Sequence, residues 1–382
     1  MDPGRRAVNP EPRAAHPRTK EAWRAFCART PPPRPDPGHI PALAEYRTWP
    51  DQRRDAFNAL RYRCHANPPF VITPQVARIL GLLRPKLLQG RYAQDGGYEY
   101  AVLNGPAYCG KTTLLKMLGK QYELDARAAQ PERADPAKLG DWVPVVYISA
   151  STGATARQLS QAIAKFLHVP VNHRNANKWM LTDPVLDALE ASGTELLLLD
   201  DLHMLDKIRD GGQESNDHIK NLANHAAVTI IGAGILLENG NLFTDGRPPT
   251  AHPESTARRR TRGRAAQFGA RFCDIQHLAP FQINSTVQQR SWMALVRQFE
   301  ANLVLLDHSA DSLTRDHWRY LHQRTSGYIG SLASLFKQAA HHAIATGAER
   351  LDPDNLEHIV IDHDAEIEYA GRGQRRPPHQ AA

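Results

Sequence analysis

Short apolar runs alternate with segments in which apolar residues return every three or four positions. This alternation predicts strands and helices in turn. Residues 98–104 (YEYAVLN), bounded by glycine, read as a strand, and 111–126 as the helix after it. A second strand is predicted over 144–149 (PVVYIS), then a helix over 155–167 with Leu159, Ile163, Phe166 and Leu167 on one face. Thr182-Asp183-Pro184 reads as a capped start of another helix. Residues 195–199 and 228–231 are short, mainly apolar runs, as strands are when both faces of a sheet are covered, and 272–278 is a weaker fifth strand. The alternation predicts an α/β fold, a parallel sheet flanked by helices. After Pro280 the pattern changes to helical segments at 286–306, 312–324, 329–346 and 353–361, with no strand signal between them.

Proline and charge divide the chain further. Residues 1–38 hold nine prolines and eight Arg or Lys, which predicts an extended flexible arm with one short helix near 21–27. The predicted organisation is this arm, an α/β core over 39–280, a helical subdomain over 281–365 and a loose basic tail over 366–382. The 382 residues carry 47 Lys+Arg against 40 Asp+Glu, a formal net charge of +7, which permits a polyanionic partner without specifying one. The longest aliphatic run, residues 196–199, is far short of the roughly 20 residues that span a bilayer, and no apolar leader follows Met1. Cys27, Cys64, Cys109 and Cys273 form no CxxC pair, so a disulfide scaffold or zinc ribbon is not expected and a reducing cytoplasm is the default.

Gly105-Pro106-Ala107-Tyr108-Cys109-Gly110-Lys111-Thr112 matches GxxxxGK[ST] between a predicted strand and a predicted helix. Backbone N–H groups of such a loop wrap a phosphate, the helix dipole favours the anion, and Lys111 adds a full charge. The Thr112 hydroxyl is placed for Mg²⁺, and Thr113 extends the nucleotide-contacting run. The apolar strand at 196–199 ends in Asp200-Asp201. Acids at the carboxyl end of a parallel strand face the ligand crevice. Asp200 is the expected Mg²⁺ partner, and Asp201 the residue that orients or deprotonates the attacking water.

Three basic features are open to two readings each. Arg271, just before the fifth strand, either reaches a neighbouring subunit's γ-phosphate or pairs locally with Asp274. The run containing Arg258, Arg259 and Arg260 either follows a DNA backbone or is a solvated loop. Arg174 and Lys178 are DNA-contact candidates by placement, or surface charge.

The phosphate loop, LLLLDDLH, the QFGARF arginine box and the terminal helices together resemble AAA+ ATPases, and within them the TniB/TnsC family. The closer resemblance rests on 61–73 (RYRCHANPPFVIT), on 145–170, and on GYIGSL at 327–332 running to 347. It implies an AAA+ P-loop core with a C-terminal helical lid, and ATP with Mg²⁺ bound between subunits. It further implies homo-oligomeric rings or filaments on duplex DNA, recruitment of a transposase and possibly a further target-selection protein, and disassembly on hydrolysis. Arg271 carries over as the arginine finger. Asp201 stands where most hydrolysing relatives carry Glu, which implies slow, stimulus-dependent turnover. Gly232-Ala233-Gly234 and Gly330-Ser331 leave two sensor positions without their usual side chains. A helicase-loader-like ATPase and a nucleotide-switched signalling or defence protein without a DNA role are the alternatives.

Overall fold

The structure, a computed structural model, describes residues 16–36, 39–92, 100–134, 142–170, 178–205, 218–219, 221–222, 225–235 and 274–373. In chain order the helices and strands are α1 (Lys20–Ala28), α2 (Leu43–Thr48), α3 (Asp51–Ala66), α4 (Pro74–Tyr92), β1 (Tyr100–Asn104), α5 (Lys111–Ala129), α6 (Pro131–Ala134), β2 (Val145–Ser149), α7 (Ala156–Leu167), α8 (Lys178–Ala191), β3 (Leu196–Asp200), β4 (Thr229–Gly234) and β5 (Asp274–His277). Then follow α9 (Thr286–Glu300), α10 (Ser312–Asp316), α11 (Trp318–Thr325), α12 (Ile329–Thr346), α13 (Pro353–Glu357) and α14 (His363–Gly373). The five strands form one parallel sheet in the order β2-β3-β4-β1-β5, flanked by helices, as the alternation predicts.

The chain forms two compact units. The first draws on Met1–Arg29, Arg84–Val102 and Leu115–Ile275. Its centre is β3, in which all five residues are buried because helices cover both sheet faces. The register sets Tyr147 opposite Leu198 and Ser149 opposite Asp200. Helix α7 is closed at its start by a reciprocal cap between Thr155 and Gln158, and it buries Leu159, Ile163 and Phe166. The second unit draws on Thr30–Leu83, Leu103–Leu114 and Gln276–Ala382. Its apolar core includes Phe281, Trp292, Leu321, Leu332, Leu335 and Phe336.

Several elements differ from the pattern-based expectation. The helix expected near 21–27 is present as α1, and within the arm it is packed, because it buries Trp23 and Cys27. The tail is helical as far as Gly373 in α14. Helix α8 begins at Lys178 rather than at Thr182, and Pro184 lies inside it. Burial of Val185 and Leu189 outweighs the proline's local cost there. The expected helix over 286–306 stops at Glu300, because Val304 and Leu305 are buried in the chain beyond it. The expected helix over 312–324 is two helices meeting at His317, and the Trp292 indole donates to the Trp318 carbonyl at 2.8 Å beside that break.

Two buried groups in the second unit make its stability depend on pH. The Glu300 carboxylate accepts from the Leu313 and Thr314 amides at 2.8 and 2.9 Å and from the Thr314 hydroxyl at 2.6 Å. Burial alone would raise its pKa, but these bonds and His308 outweigh burial and hold it at about 2. Burial pushes His65 down from 6.5 to about 4. Both folded values lie below the unfolded ones, so the unfolded chain binds more protons and stability is lost as pH is lowered. His65 acts from about 6.5 to 4 and Glu300 from about 4.5 to 2. Denaturant midpoints followed by tryptophan fluorescence are expected to fall between pH 7 and 4 and again below it. A flat profile over that range would contradict both assignments.

Candidate functional site

The phosphate loop lies in the second unit, between β1 and α5. Gly110 has φ +85°, a conformation glycine adopts without the cost a side chain incurs, and α5 begins with the Leu114 amide donating to the Gly110 carbonyl at 2.9 Å. The Lys111 ammonium is buried and donates to the Pro106 carbonyl at 2.6 Å, so it closes back over its own loop. Cys109 is buried and its thiol is pushed up to about 11, which keeps it protonated and unreactive. Ala107, Tyr108 and Thr113 are exposed, and Thr112 is partly so.

In the same unit the first turn of α12 meets the loop. The Gly330 amide donates to the Tyr108 carbonyl at 2.8 Å. A Cβ on Gly330 would lie 2.8 Å from that oxygen, so glycine is what permits the approach. This gives a physical reason for glycine in the first turn of α12. Ser331 donates to Asp362 at 2.8 Å. A cleft of about 330 Å³ lies between Pro106, Ala107 and Tyr108 on one side and Tyr328, Ser331 and Asp362 on the other.

Asp200 and Asp201 lie in the first unit. Asp200 is 2% exposed. Its Oδ2 accepts from the Tyr147 hydroxyl at 2.7 Å, and its Oδ1 from the Asp201 amide at 3.0 Å. Asp201 takes φ +57°, a left-handed conformation that Asp tolerates, and its Oδ2 accepts from the Ser149 hydroxyl at 3.0 Å. The turn continues as a 3-10 helix over Leu202–Met204. A Cβ on Gly232 would lie 2.4 Å from a terminal methyl of Leu202, so a side chain there would have to displace Leu202. The Lys116 ammonium on α5 is 5.2 Å from the Tyr147 ring centroid. Burial lowers its pKa, opposed by the charges of Asp200 and Asp201.

Tyr147, Ser149 and Lys116 are additions to the residues expected from sequence. The signal for the first two is their period-2 spacing on the otherwise apolar β2, but only the register with β3 says which carboxylate each meets. Arg174, Arg258, Arg259, Arg260 and Arg271 lie outside the described residues. Lys178 is the first residue of α8. Among the described residues no three His, Cys, Asp or Glu gather to hold a metal. Mg²⁺ prefers hard oxygen donors such as a carboxylate or a hydroxyl; Asp200 carries one in the first unit and Thr112 one in the second. No described helix is long and apolar enough to cross a membrane.

Comparison with known proteins adds family and fold. A search of curated proteins found no significant sequence match. Among solved structures, the ORC1 protein of Aeropyrum pernix, solved in complex with DNA, is 19% identical with a TM-score of 0.53, over 78% of this chain and 66% of that one. Cdc6p from Pyrobaculum aerophilum is 16% identical with a TM-score of 0.50, over 76% and 68%. These likenesses show an AAA+ fold. The model of the family described as Bacterial TniB protein matches residues 61–246, a span that carries both the phosphate loop and the Asp200–Asp201 turn. Over that span, a little under half of the chain, the sequence is similar to the TniB family, consistent with a TniB/TnsC-type AAA+ ATPase.

Proposed function

We propose that the protein is an ATP-gated, DNA-binding regulator of transposition that assembles on duplex DNA and recruits or activates a transposase. The observation that carries this reading is the TniB family match across the phosphate loop and the Asp200–Asp201 turn. The ORC1 neighbour, solved in complex with DNA, supports a DNA partner.

In this reading the core over 39–280 holds the nucleotide under the lid over 281–365. Amides of 107–112 wrap the phosphates, and Lys111 exchanges its Pro106 carbonyl for a phosphate oxygen. Bound Mg²⁺ would neutralise charge developing on the phosphates. Thr112 and Asp200 would hold it. Asp201, kept in place by Ser149, orients the attacking water. It is one methylene shorter than Glu, so turnover is slow. Arg271 completes the site from a neighbouring subunit, and Arg174, Lys178 and Arg258–Arg260 supply phosphate contacts.

Binding to a long duplex at two salt concentrations, with ATP, ADP, a slowly hydrolysed ATP analogue or no nucleotide, tests the reading. The expected result is cooperative, salt-sensitive binding that requires a triphosphate. Nucleotide-independent or absent binding would remove the DNA role and favour a protein-directed switch.

A further inference from the structure

Strand β2 reads VVYIS, and its one aromatic side chain is fully buried. A phenylalanine would fill the same space without a hydroxyl to satisfy, and burying an unpaired hydroxyl costs free energy. Here the hydroxyl donates to Asp200 Oδ2 at 2.7 Å. The Asp201 amide occupies Oδ1, so one donor on each oxygen sets the plane of the carboxylate. The ring itself is held from the N-terminal segment. Trp23 of α1 stacks on Tyr147, with centroids 5.5 Å apart and planes 8° from parallel. His16 lies 5.5 Å from the same ring. All of these residues belong to one compact unit.

We infer that Tyr147 is a positioning residue for the metal ligand Asp200, and that α1, through Trp23, holds Tyr147 in place for that task. The inference rests on the nucleotide-and-metal reading of the site. The N-terminal segment is then a working part of the ATPase centre rather than a detached arm. A carboxylate fixed by hydrogen bonds meets its metal without first reorienting, and loss of such an outer partner typically weakens metal affinity about 10- to 100-fold.

The test uses the full chain, a fluorescent ATP analogue and a titration of free Mg²⁺, with a parallel arm in EDTA. Tyr147→Phe keeps the ring and its stack and deletes only the hydroxyl. It is expected to raise the half-saturating Mg²⁺ concentration about 10-fold or more, leaving analogue binding in EDTA and the melting temperature near wild type. In an Asp200→Asn background the same change is expected to add nothing, because the hydroxyl acts through that carboxylate. Trp23→Leu, which keeps the hydroxyl and removes the stack, is expected to shift the midpoint in the same direction by less. An unmoved midpoint in Tyr147→Phe, or an equal loss with and without Mg²⁺, overturns the role of Tyr147. An unmoved midpoint in Trp23→Leu overturns that of α1. A wild type whose analogue binding ignores Mg²⁺ overturns the inference together with the metal reading beneath it.

Discussion

Glu349→Ala is expected to lose about 3–5 kcal/mol of stability, the range found when one partner of a buried ion pair is removed. Arg61 on α3 donates from Nη1 and Nη2 to Glu349 Oε2 and Oε1 at 2.6 and 2.9 Å. The two side chains are 0% and 1% exposed. Glu349 Oε2 also accepts the Leu306 amide at 3.1 Å. The guanidinium lies 5.3 Å from the Tyr46 ring and 5.0 Å from that of Phe57 and donates to Asn58, so its surroundings are shaped for a cation that stays. Deleting Glu349 strands that charge away from water and orphans the Leu306 amide. Domains of this kind are stable by only about 5–15 kcal/mol, so the loss is a large share of the whole. Equilibrium urea unfolding measures it. Replacing both partners with apolar residues of similar volume is expected to cost much less, because no unpaired charge remains. A loss under about 1 kcal/mol for Glu349→Ala would mean that water reaches the guanidinium once the carboxylate is gone.

Lys111→Ala is expected to weaken ATP binding about 10- to 100-fold, since a hydrogen bond to a charged group contributes about 1.5–3 kcal/mol. Hydrolysis is expected to fall further, about 10²- to 10³-fold, because the missing charge matters most where negative charge develops in the transition state. The fold should survive. Helix α5 is anchored by Leu114, Leu115 and Leu118, all buried, and not by the ammonium. Isothermal titration with ATP, beside circular dichroism as a control for folding, separates the two effects. A folded variant that binds ATP as the wild type does would show that the loop amides suffice and that the lysine has another task.

Both changes touch groups of very different legibility. Lys111 is read directly from eight consecutive residues, because a phosphate loop is a local device whose glycines, lysine and hydroxyl sit at fixed offsets. The acids after β3 are equally plain, since a fully apolar strand ending in two carboxylates is a local pattern too. The Arg61–Glu349 pair joins residues 288 positions apart, and nothing around either one announces the other. Helices α2, α3 and α4 also lie outside the elements that the pattern predicts. Helix α3 has weak amphipathic character, and burial of Arg61, Cys64 and His65 specifies its inner face instead of a leucine stripe.

Helix ends show the same division. The start of α12 at Ile329 and its end at Thr346 follow from glycines on either side, Gly327 and Gly347, both left-handed. The early end of α9 and the break at His317 depend on tertiary partners. Val304 donates its amide to His65, and Trp318 offers its carbonyl to Trp292. At the candidate site, the two glycine positions that looked like departures from related ATPases are close approaches. Gly330 admits Tyr108, and Gly232 admits Leu202.

Alternation of apolar runs, the phosphate loop and the acidic strand end are set by neighbours along the chain. They therefore establish the α/β class, the order of its parts and the chemistry of the loop without any knowledge of folding. Strand register and long-range packing decide what stands beside that chemistry. Tyr147 reaches Asp200 because β2 and β3 pair with Ser149 opposite Asp200, and Trp23 reaches Tyr147 from 124 positions away along the chain. Hydrogen bonds and ring contacts act over a few ångströms of space, whatever the separation in sequence, so these partners become visible only once the chain has folded.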